Sequence, residues 1–282
     1  LPSSGEIRTL ASTENPLFSQ ASMSAAAWES RNPNRKPAPR PNERAVPQQR
    51  ATGEGIDLAG RVALVTSSSR GIARACALRL AEAGADVAVN YVISRFTAED
   101  VAAEIQQLGR RAAVMKADVS EQDDVISIME FIKEHFDGLD IMVSNAATGG
   151  FRHLFATDAR HFEAAMNTNV RALLFLMQVA MPMLDRTEGR AKVIALSSHG
   201  PHRAQPMYGL IGSTKAALES LVRHFAMDVG GRGVNLNIVK AGLVQTESFK
   251  QLRQAWAGAL GPQVILAQDP GSSLREGRGR RA

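Results

Sequence analysis

The chain has 282 residues, of which 44% are hydrophobic and 22% are charged, and its formal net charge is +5. This composition is typical of a soluble globular protein with room for one α/β domain. No apolar run approaches the ~18 residues of a membrane span, so we expect no membrane partner. The single cysteine, Cys76, excludes an internal disulfide and a Cys-rich metal site. It fits a reducing compartment, and we expect a cytoplasmic protein without a metal centre.

The basic charge is located at the two ends of the chain. Residues 1–55 carry seven basic and five acidic side chains, residues 251–282 carry five and two, and residues 56–250 hold equal numbers of each. The central part therefore has no net positive charge to attract a phosphate backbone, and we expect no nucleic-acid partner. Residues 1–55 also hold seven of the twelve prolines and show no sustained apolar periodicity. We expect them to form a disordered Pro/Arg-rich extension.

From Asp57 onward, short β-branched runs alternate with helical patterns. In chain order the runs are "RVALVT" (61–66), "DVAVNY" (86–91), "AAVMKAD" (112–118), "LDIMVSNAA" (139–147), "KVIALSS" (192–198) and "VNLNIVKAG" (234–242). Such alternation indicates βαβ units with right-handed crossovers. It predicts an α/β fold with a doubly wound parallel sheet of the Rossmann type, in which six strands can be counted. Ligands of such sheets bind beyond the carboxyl ends of the strands.

The junction between the first strand and the first helix reads "TSSSRGIARA" and is a candidate phosphate-binding turn. Gly71 is the only glycine in it, because Ser67 and Ala73 occupy the flanking positions where the dinucleotide-binding fingerprint has glycine. Both replacements are small, and we expect the turn to survive if φ stays negative at these two residues. The hydroxyls of Ser67 to Ser69 could then donate to a phosphate. A plain turn is the alternative interpretation.

The end of the second strand indicates which dinucleotide is used. An acidic side chain here would bind both ribose hydroxyls and favour NAD, but the chain has Asn90 and Tyr91. Arg70 in the first loop and Arg95 beyond the strand supply guanidinium groups, which favour a 2′-phosphate. We therefore expect NADPH in preference to NADH. The alternative is that both arginines are ordinary solvated surface charges.

Residues 57 to about 250 resemble a short-chain dehydrogenase/reductase. The motifs that carry this resemblance are "TSSSRGIA", "ADVS" around Asp118, "SNAA" (144–147), "MNTNV" with Asn169, "ALSS" (195–198), Tyr208 with Lys215, and "KAGLVQT" (240–246). Each motif is weak alone, but their order and spacing together are specific. The resemblance implies a Rossmann-type reductase domain over residues 56–250. Family members commonly form tetramers, so it also implies a homo-oligomer, either a tetramer or a dimer.

The resemblance further implies the positions of the site residues. Asp118 and Val119 would flank the adenine, Thr246 would meet the nicotinamide carboxamide, and Asn169 would steady Lys215 through water. The complete set of expected cofactor-binding residues is Ser67, Ser69, Arg70, Gly71, Ile72, Asn90, Tyr91, Asp118, Val119, Asn145, Ala146, Ala147, Lys215, Gly242, Val244 and Thr246. The expected catalytic residues are Tyr208, Lys215, Ser198 and Asn169.

The segment "YGLIGSTK" (208–215) departs from the usual pattern of the family. Its members place the catalytic serine seventeen residues before the lysine, as Ser198 is, and the tyrosine four residues before it, where this chain has Ile211. Tyr91 and Tyr208 are the only tyrosines, and Tyr91 lies on the adenosine side. Tyr208 is thus the only candidate proton donor of its type. At helical period it would share one stripe with Lys215, nearly two turns away.

The wider spacing has a chemical interpretation. Reduction of a ketone brings hydride and proton to adjacent atoms, whereas reduction of an α,β-unsaturated thioester places the negative charge on an oxygen further from the hydride. A Tyr-x6-Lys motif resembles that of NADPH-dependent enoyl-acyl-carrier-protein reductases of fatty-acid biosynthesis. The resemblance implies an acyl thioester substrate, carried by acyl carrier protein or coenzyme A. Lys215, with the cationic nicotinamide ring, would lower the pKa of the Tyr208 phenol towards neutrality. Ser198 would orient the oxygen or be merely structural.

Two alternatives stay open, and both concern departures from the family. A carbonyl or 3-oxoacyl reductase could use Tyr208 in a shifted pose, and the chain could also be an inactive, truncated or frameshifted family member. After the sixth strand "ESFKQLRQAWAGAL" could begin a substrate cover, but no convincing seventh strand follows. We expect residues 251–282 to form an atypical, poorly ordered tail, with "QVILAQ" as a weak candidate for an edge strand.

Overall fold

The structure is a computed structural model that describes residues 56–260, with side chains described as far as residue 258. The strands are β1 (Val62–Val65), β2 (Asp86–Tyr91), β3 (Ala112–Lys116), β4 (Ile141–Ser144), β5 (Ala191–Ser198) and β6 (Val234–Ala241). The α-helices are α1 (Gly71–Glu82), α2 (Arg95–Gln107), α3 (Gln122–His135), α4 (Ala159–Met166), α5 (Ala172–Leu184), α6 (Gly209–Gly230) and α7 (Glu247–Leu260). A 3₁₀ turn at Leu154–Ala156 precedes α4, and a π-helical segment at Asn167–Arg171 joins α4 to α5. The extension predicted over residues 1–55 lies outside the described residues.

The six strands form one parallel sheet in the order β3-β2-β1-β4-β5-β6. The predicted doubly wound α/β fold is confirmed. The strand order reverses direction between β1 and β4, so the loops that follow these two strands diverge and leave a crevice at their carboxyl ends. The topology therefore predicts the position of the site before any side chain is considered.

Helices cover both faces of the sheet, which explains the continuous apolar runs of its strands. Successive residues of β1 alternate between two separate cores: Leu64 packs with α3 and α5, while Ala63 and Val65 pack with α1 and α2. All three are at most 1% exposed. A strand buried on both faces has no polar side in its sequence, as the "VALV" run of β1 shows.

Helix α1 lies close to the sheet because its buried face consists of alanine. Ala73, Ala77 and Ala81 are at most 2% exposed. Ala73, which replaces a fingerprint glycine, is part of this buried face. Cys76 packs at the edge of the same core, half-buried, and burial raises the pKa of its thiol. A thiol in this position is a packing group and a poor nucleophile.

The carboxyl-terminal boundary differs from the expected one. Helix α7 continues through residues 251–260, so the boundary predicted after Lys250 falls within an ordered helix. The buried side chains of Phe249, Leu252 and Trp256 explain this order, because they recur at helical spacing and pack against the domain. Within residues 56–260 the sheet ends at β6, and the "QVILAQ" segment lies outside the described part of the chain.

No helix between residues 56 and 260 is both long and apolar enough to cross a membrane. In the same residues, the His, Cys, Asp and Glu side chains form no group of three that could hold a metal ion.

Candidate active site

A cavity of about 410 Å³ lies at the carboxyl ends of β1, β2, β4, β5 and β6. The predicted site residues that line it are Ser67, Ser69, Arg70, Gly71, Ile72, Asn145, Ala147, Ser198, Tyr208, Lys215, Gly242, Val244 and Thr246. Asn90, Tyr91, Asp118, Val119, Ala146 and Asn169 were also expected here, but they do not line the cavity. The structure thus brings the turn around Gly71 and the group of Ser198, Tyr208 and Lys215 together around one cavity.

The turn between β1 and α1 adopts a left-handed backbone at two residues. Gly71 has φ +60°, and Ser67 has φ +54°, so the expectation that φ stays negative at Ser67 is wrong. This conformation costs a non-glycine residue about 1–2 kcal/mol. The amide of Ser67 donates to Oδ1 of Asn90 at 3.0 Å, and this bond holds the turn in place. The serine keeps the shape that a glycine would supply because a neighbouring strand supports it.

Asn90 acts behind this turn and not at the cavity surface. Its side chain is 2% exposed, accepts from Ser67 and donates from Nδ2 to the carbonyl of Ala117 at 2.9 Å. Its backbone amide donates a hydrogen bond to Oγ of Ser68 in the same turn at 3.0 Å. With its amide group engaged on both sides, Asn90 links the ends of β1, β2 and β3. This shows a supporting role for Asn90, while its direct contact with a cofactor stays a prediction.

The other displaced residues have equally defined roles. Oδ1 of Asp118 accepts from the amide and the hydroxyl of Ser120, at 2.9 and 2.8 Å, and so shapes the turn before α3. Val119 and Tyr91 are buried, at 2% and 8% exposure, and belong to the two cores. The amide of Ala146 donates to Oγ1 of Thr66 at 3.1 Å. The cofactor contacts expected of these residues stay predictions beside these structural roles.

Residues that the sequence reasoning missed line the adenosine side of the cavity. Val92, Ile93 and Ser94 follow β2 directly and reach the cavity beside Arg70. Their position immediately after a strand end was the available signal. Arg95, by contrast, turns its guanidinium to Glu99 of the same helix at 2.7 Å and does not line the cavity. Of the two arginines considered for a 2′-phosphate, the geometry favours Arg70.

The hydroxyl of Tyr208 donates to Oγ of Ser198 at 3.0 Å. Oγ of Ser198 also accepts from the amide of Gly200 at 3.2 Å, which fixes the orientation of the serine. Burial raises the pKa of the Tyr208 phenol, and the hydrogen bond to Ser198 opposes this shift only in part. The lowering expected from Lys215 acting together with the cationic nicotinamide ring stays a prediction. The phenol stays protonated at neutral pH and is therefore able to donate a hydrogen bond or a proton.

Tyr208 precedes α6 instead of lying within it. The helix begins at Gly209, and Tyr208 has φ −106° and ψ 2°, while its carbonyl accepts from the amide of Gly212 at 2.8 Å. Tyr208 is the N-cap residue of α6, so the predicted stripe with Lys215 begins at the helix boundary, and both side chains line the same cavity. Because Tyr208 lies at the helix start, the helical period does not determine the direction of its side chain, and its hydroxyl reaches Ser198 from the N-cap position of α6.

Two glycine contacts make room for this arrangement. The ideal Cβ position of Gly200 lies 2.6 Å from Cε1 of Tyr208 and 2.9 Å from Cα of Gly212, so only glycine fits beneath the ring. Ile211, at the usual tyrosine position, packs against Gly149, whose ideal Cβ position is 2.7 Å from Cγ1 of Ile211. The space around the start of α6 is thus shaped for tyrosine at 208 and for an aliphatic side chain at 211.

Lys215 lies on the second turn of α6 and forms part of the cavity floor. Its side chain is nearly fully buried, its Nζ donates to the carbonyl of Leu196 at 2.7 Å, and burial lowers its pKa to about 8. Asn169, in the π-helical segment, donates to Oγ1 of Thr214 and to the carbonyl of Thr148, each at 2.8 Å. Asn169 therefore ties the loop after β4 to the helix turn that carries Lys215, and it acts as a positioning residue.

A second charged group stabilises the end of β5, which carries Ser198. Glu219 is 3% exposed and accepts from Oγ of Ser197 at 2.7 Å, while Nζ of Lys240 lies 3.2 Å away and Nε2 of His202 lies 3.1 Å away. These contacts join β5, α6, β6 and the loop after β5. His202 thus has a structural position, whereas His199 lines the cavity next to Ser198.

The far end of the cavity is apolar and is covered by α7. Phe249 and Leu252 of α7 line it together with Phe151 and Leu243. The ring of Phe151 stacks on that of Tyr208 with centroids 6.1 Å apart. Oγ1 of Thr246 accepts from the amide of Phe249 at 3.3 Å and caps α7, which adds a structural role to this residue. An apolar wall beside a phenol and a serine suits a substrate with one polar oxygen and a hydrocarbon part.

The cavity also fits a nicotinamide dinucleotide. The left-handed Gly71 lets the loop backbone lie open at the start of α1, whose first turn carries no acidic side chain. A helix start without negative charge is suited to a pyrophosphate. From there the cavity extends past Asn145 to Lys215 and Tyr208, so one extended ligand can contact both ends.

Comparisons with known proteins agree with this geometry. The model of the family described as "Enoyl-(Acyl carrier protein) reductase" matches residues 66–263. A 1-cyclohexenylcarbonyl-CoA reductase of Streptomyces collinus is 34% identical over 67% of this chain and 67% of its own length. A hydroxynaphthalene reductase of Aspergillus fumigatus is 34% identical over 78% of this chain and 77% of its own length.

The fold is shared with solved structures as well. A short-chain dehydrogenase of Burkholderia cenocepacia, solved in complex with NADP, superposes with a TM-score of 0.64. It is 36% identical and covers 67% of this chain and 77% of its own. The resemblance inferred from the motifs is confirmed along most of the described domain. The chain therefore belongs to the short-chain dehydrogenase/reductase superfamily and is an oxidoreductase of that superfamily.

Proposed function

We propose that this protein is an NADPH-dependent reductase of enoyl thioesters. The observation that carries the proposal is the position of Tyr208. Its hydroxyl is hydrogen-bonded to Ser198 from the start of α6, while the position four residues before Lys215 holds Ile211, packed in an apolar environment. The acid is thus placed at the outer end of the helix, on the side of the apolar cover.

This placement suits a substrate whose oxygen is remote from the atom that is reduced. In an α,β-unsaturated thioester, hydride adds to Cβ and the negative charge develops on the thioester oxygen, two bonds beyond Cα. A hydrogen-bond donor aimed at that oxygen stabilises the transition state. The apolar residues Phe151, Leu243 and Phe249 line the cavity around Tyr208 and offer a surface for the acyl chain.

Each polar group then has one role. NADPH, when bound, supplies the hydride. Tyr208, kept protonated by its raised pKa, donates to the thioester oxygen and stabilises the enolate, which takes a proton from solvent at Cα. Ser198 holds the Tyr208 hydroxyl in place. Lys215, with a pKa near 8, is mostly protonated at neutral pH and is positioned to hold the nicotinamide ribose.

The preference for NADPH is supported by Arg70. It lines the same cavity as Ser94, and no carboxylate ends β2, whose last two residues are Asn90 and Tyr91. A guanidinium group binds a phosphate with two hydrogen bonds, and the missing carboxylate removes a repulsive charge. We propose that the substrate's carrier is coenzyme A or an acyl carrier protein, and that the reaction belongs to lipid metabolism.

A carbonyl reductase is the second candidate, and the Ser198–Tyr208 hydrogen bond favours it. A phenol paired with a serine hydroxyl at 3.0 Å can bind and protonate a ketone oxygen directly. The matched relative from Aspergillus fumigatus is named for the reduction of a hydroxynaphthalene. For this reaction the ketone carbon has to lie within hydride reach of the nicotinamide while its oxygen meets Tyr208.

Loss of NADPH absorbance with two thioesters distinguishes these candidates. The proposal predicts oxidation of NADPH with a crotonyl thioester, and at a lower rate or not at all with an acetoacetyl thioester. Oxidation with only the acetoacetyl compound would favour the carbonyl reductase. No oxidation with either one, in protein whose circular dichroism shows it folded and which binds NADPH, would favour an inactive family member.

Tyr208→Phe should lower the rate about 100-fold or more and leave NADPH binding nearly unchanged.

A further inference from the structure

The turn that carries Tyr208 has a backbone that its own sequence does not favour. We call residues 205–208 the tyrosine turn. Met207 in this turn has φ +61°. This left-handed backbone conformation is common for glycine and unfavourable for methionine. Such a conformation persists only where the surroundings hold it. The contacts of the tyrosine turn therefore determine where the acid lies.

The backbone of the turn is held from two directions. The carbonyl of Met207 accepts from the amide of Arg152 at 3.0 Å, which ties it to the loop after β4. The carbonyl of Pro206 accepts from the indole Nε1 of Trp256 at 2.9 Å, which ties it to α7. The two acceptors are neighbouring carbonyls, so together they hold the two successive peptide planes, Pro206–Met207 and Met207–Tyr208, on either side of the left-handed Met207.

Trp256 is well placed to exert this control. It is 3% exposed, and it forms one apolar cluster with Phe249 and Leu252 that packs against Met207 and Tyr208. A buried indole N–H that has a partner is oriented by it, and the ring is fixed by its packing. The bond spans 50 residues of sequence, so it joins two segments that fold as separate elements.

We propose that Trp256 is a positioning residue, whose hydrogen bond to the Pro206 carbonyl holds the tyrosine turn and thereby places the Tyr208 hydroxyl. The inference rests on Tyr208 as the acid, and it holds for both candidate reactions. It also gives α7 two functions, because Phe249 and Leu252 of this helix line the cavity. The wall that meets the substrate and the bond that places the acid are parts of one rigid helix.

The variant Trp256→Phe tests the role of the indole N–H, because it keeps an aromatic ring in the cluster and removes the donor. With a crotonyl thioester at saturation we expect kcat to fall about tenfold, since the loss of one hydrogen bond loosens the acid. We expect the Kd for NADPH to change less than twofold. The matched control is Trp28→Phe, the same change at the only other tryptophan, which lies outside the described residues. A kcat of Trp256→Phe within twofold of the parent value would overturn the inference.

Hydrogen exchange of the backbone amides provides a readout that does not depend on activity. In Trp256→Phe, a peptide covering residues 205–212 should exchange at least fivefold faster than in the parent chain, while a peptide from β1 stays unchanged. Unchanged exchange in residues 205–212 would overturn the inference. If the parent chain reduces neither thioester, the proposed function fails, whereas the exchange result still decides the role of Trp256.

A second measurement covers the case in which Trp256→Phe does not fold. In the parent chain, residues 205–212 and 247–258 should exchange with the same opening free energy under increasing urea, since one hydrogen bond and one cluster join them. Exchange of residues 247–258 while residues 205–212 stay protected would show that the turn does not depend on α7. That result would overturn the inference.

Discussion

Gly200 and Tyr208 show how the site depends on single atoms at the scale of one residue. The tyrosine ring lies over Gly200, at a place where an added Cβ would be 2.6 Å from Cε1 of the ring and 2.9 Å from Cα of Gly212. One of these contacts involves backbone, which cannot rotate away. The position of the acid is thus set as much by the absence of a methyl group at 200 as by the presence of tyrosine at 208.

We expect Gly200→Ala to displace the Tyr208 ring and break its hydrogen bond to Ser198. The rate with a crotonyl thioester should fall at least tenfold, with NADPH affinity unchanged, because Gly200 does not line the cavity where Gly71 and Arg70 lie. Gly138→Ala is the matched control, since no atom lies within 4 Å of the ideal Cβ position of Gly138. Steady-state rates and NADPH titrations check the pair. A fully active Gly200→Ala would show that the ring position seen here is not the reactive one.

Lys215 gives the stability of the domain a characteristic pH dependence. Its pKa is lowered from 10.5 to about 8 by burial, so between these values the unfolded chain binds a proton that the folded chain has lost. The free energy of unfolding therefore rises with pH in this window, while below pH 8 the cost of the buried charge is fully present. From about pH 7.5 to about pH 9.5 the gain should be roughly 2 kcal/mol relative to Lys215→Met.

Urea unfolding of the parent chain and of Lys215→Met at both pH values measures this difference. The other titrating groups are common to both proteins, so the difference between them isolates the lysine. A parent chain that loses stability relative to Lys215→Met as the pH rises would contradict the burial of a charged ammonium group at this position.

At the scale of elements, the end of β2 shows what the sequence could and could not predict. The sequence shows that no carboxylate ends β2 and that two arginines lie nearby. It does not show which arginine faces the cavity. In the structure α2 begins at Arg95, and Glu99, one turn further on, binds the Arg95 guanidinium. The role of Asn90 could not be predicted either, because it depends on hydrogen bonds to Ser67 and Ala117, which follow two other strands.

The two arginines provide a matched pair of variants for cofactor selectivity. Arg70→Ala should raise the KM for NADPH about tenfold or more and change that for NADH little, because it removes the group placed for a 2′-phosphate. Arg95→Ala removes the same charge from a side chain bound to Glu99, and we expect both KM values to stay within twofold of the parent. Steady-state kinetics with both cofactors tests this. Equal effects of the two substitutions would indicate a general effect of charge and not a phosphate site.

Helix α7 extends ten residues past the domain boundary that the sequence predicts. The spacing of Phe249, Leu252 and Trp256 in "ESFKQLRQAWAGAL" is helical, but the sequence beyond it shows no clear pattern of a seventh strand, and this places the predicted boundary at residue 250. The helix is ordered by its contacts with the tyrosine turn, and such contacts between distant segments leave no local signature. The same holds for the left-handed Ser67, whose conformation is supported from β2.

For the whole molecule, the fold was predictable and the fine placement of the site was not. Alternation of β-branched runs and helical patterns determines a doubly wound sheet, and that topology places the cavity at the carboxyl edge. Ser198 and Lys215 could be placed because strand and helix register are local properties. Tyr208 could be named but not positioned, since its place depends on glycines at 200 and 212 and on α7.

The central claim is that hydride is delivered to Cβ of an enoyl thioester while Tyr208 meets the remote oxygen. Reduction of a crotonyl thioester with NADPH deuterated at the transferred C4 position, followed by mass spectrometry and NMR of the acyl product, tests it most directly. We expect a saturated butyryl product with one deuterium at Cβ and a solvent-derived hydrogen at Cα, formed far more slowly by Tyr208→Phe. Deuterium found only at the carbinol carbon of a 3-hydroxybutyryl product, from the acetoacetyl thioester, would contradict the claim.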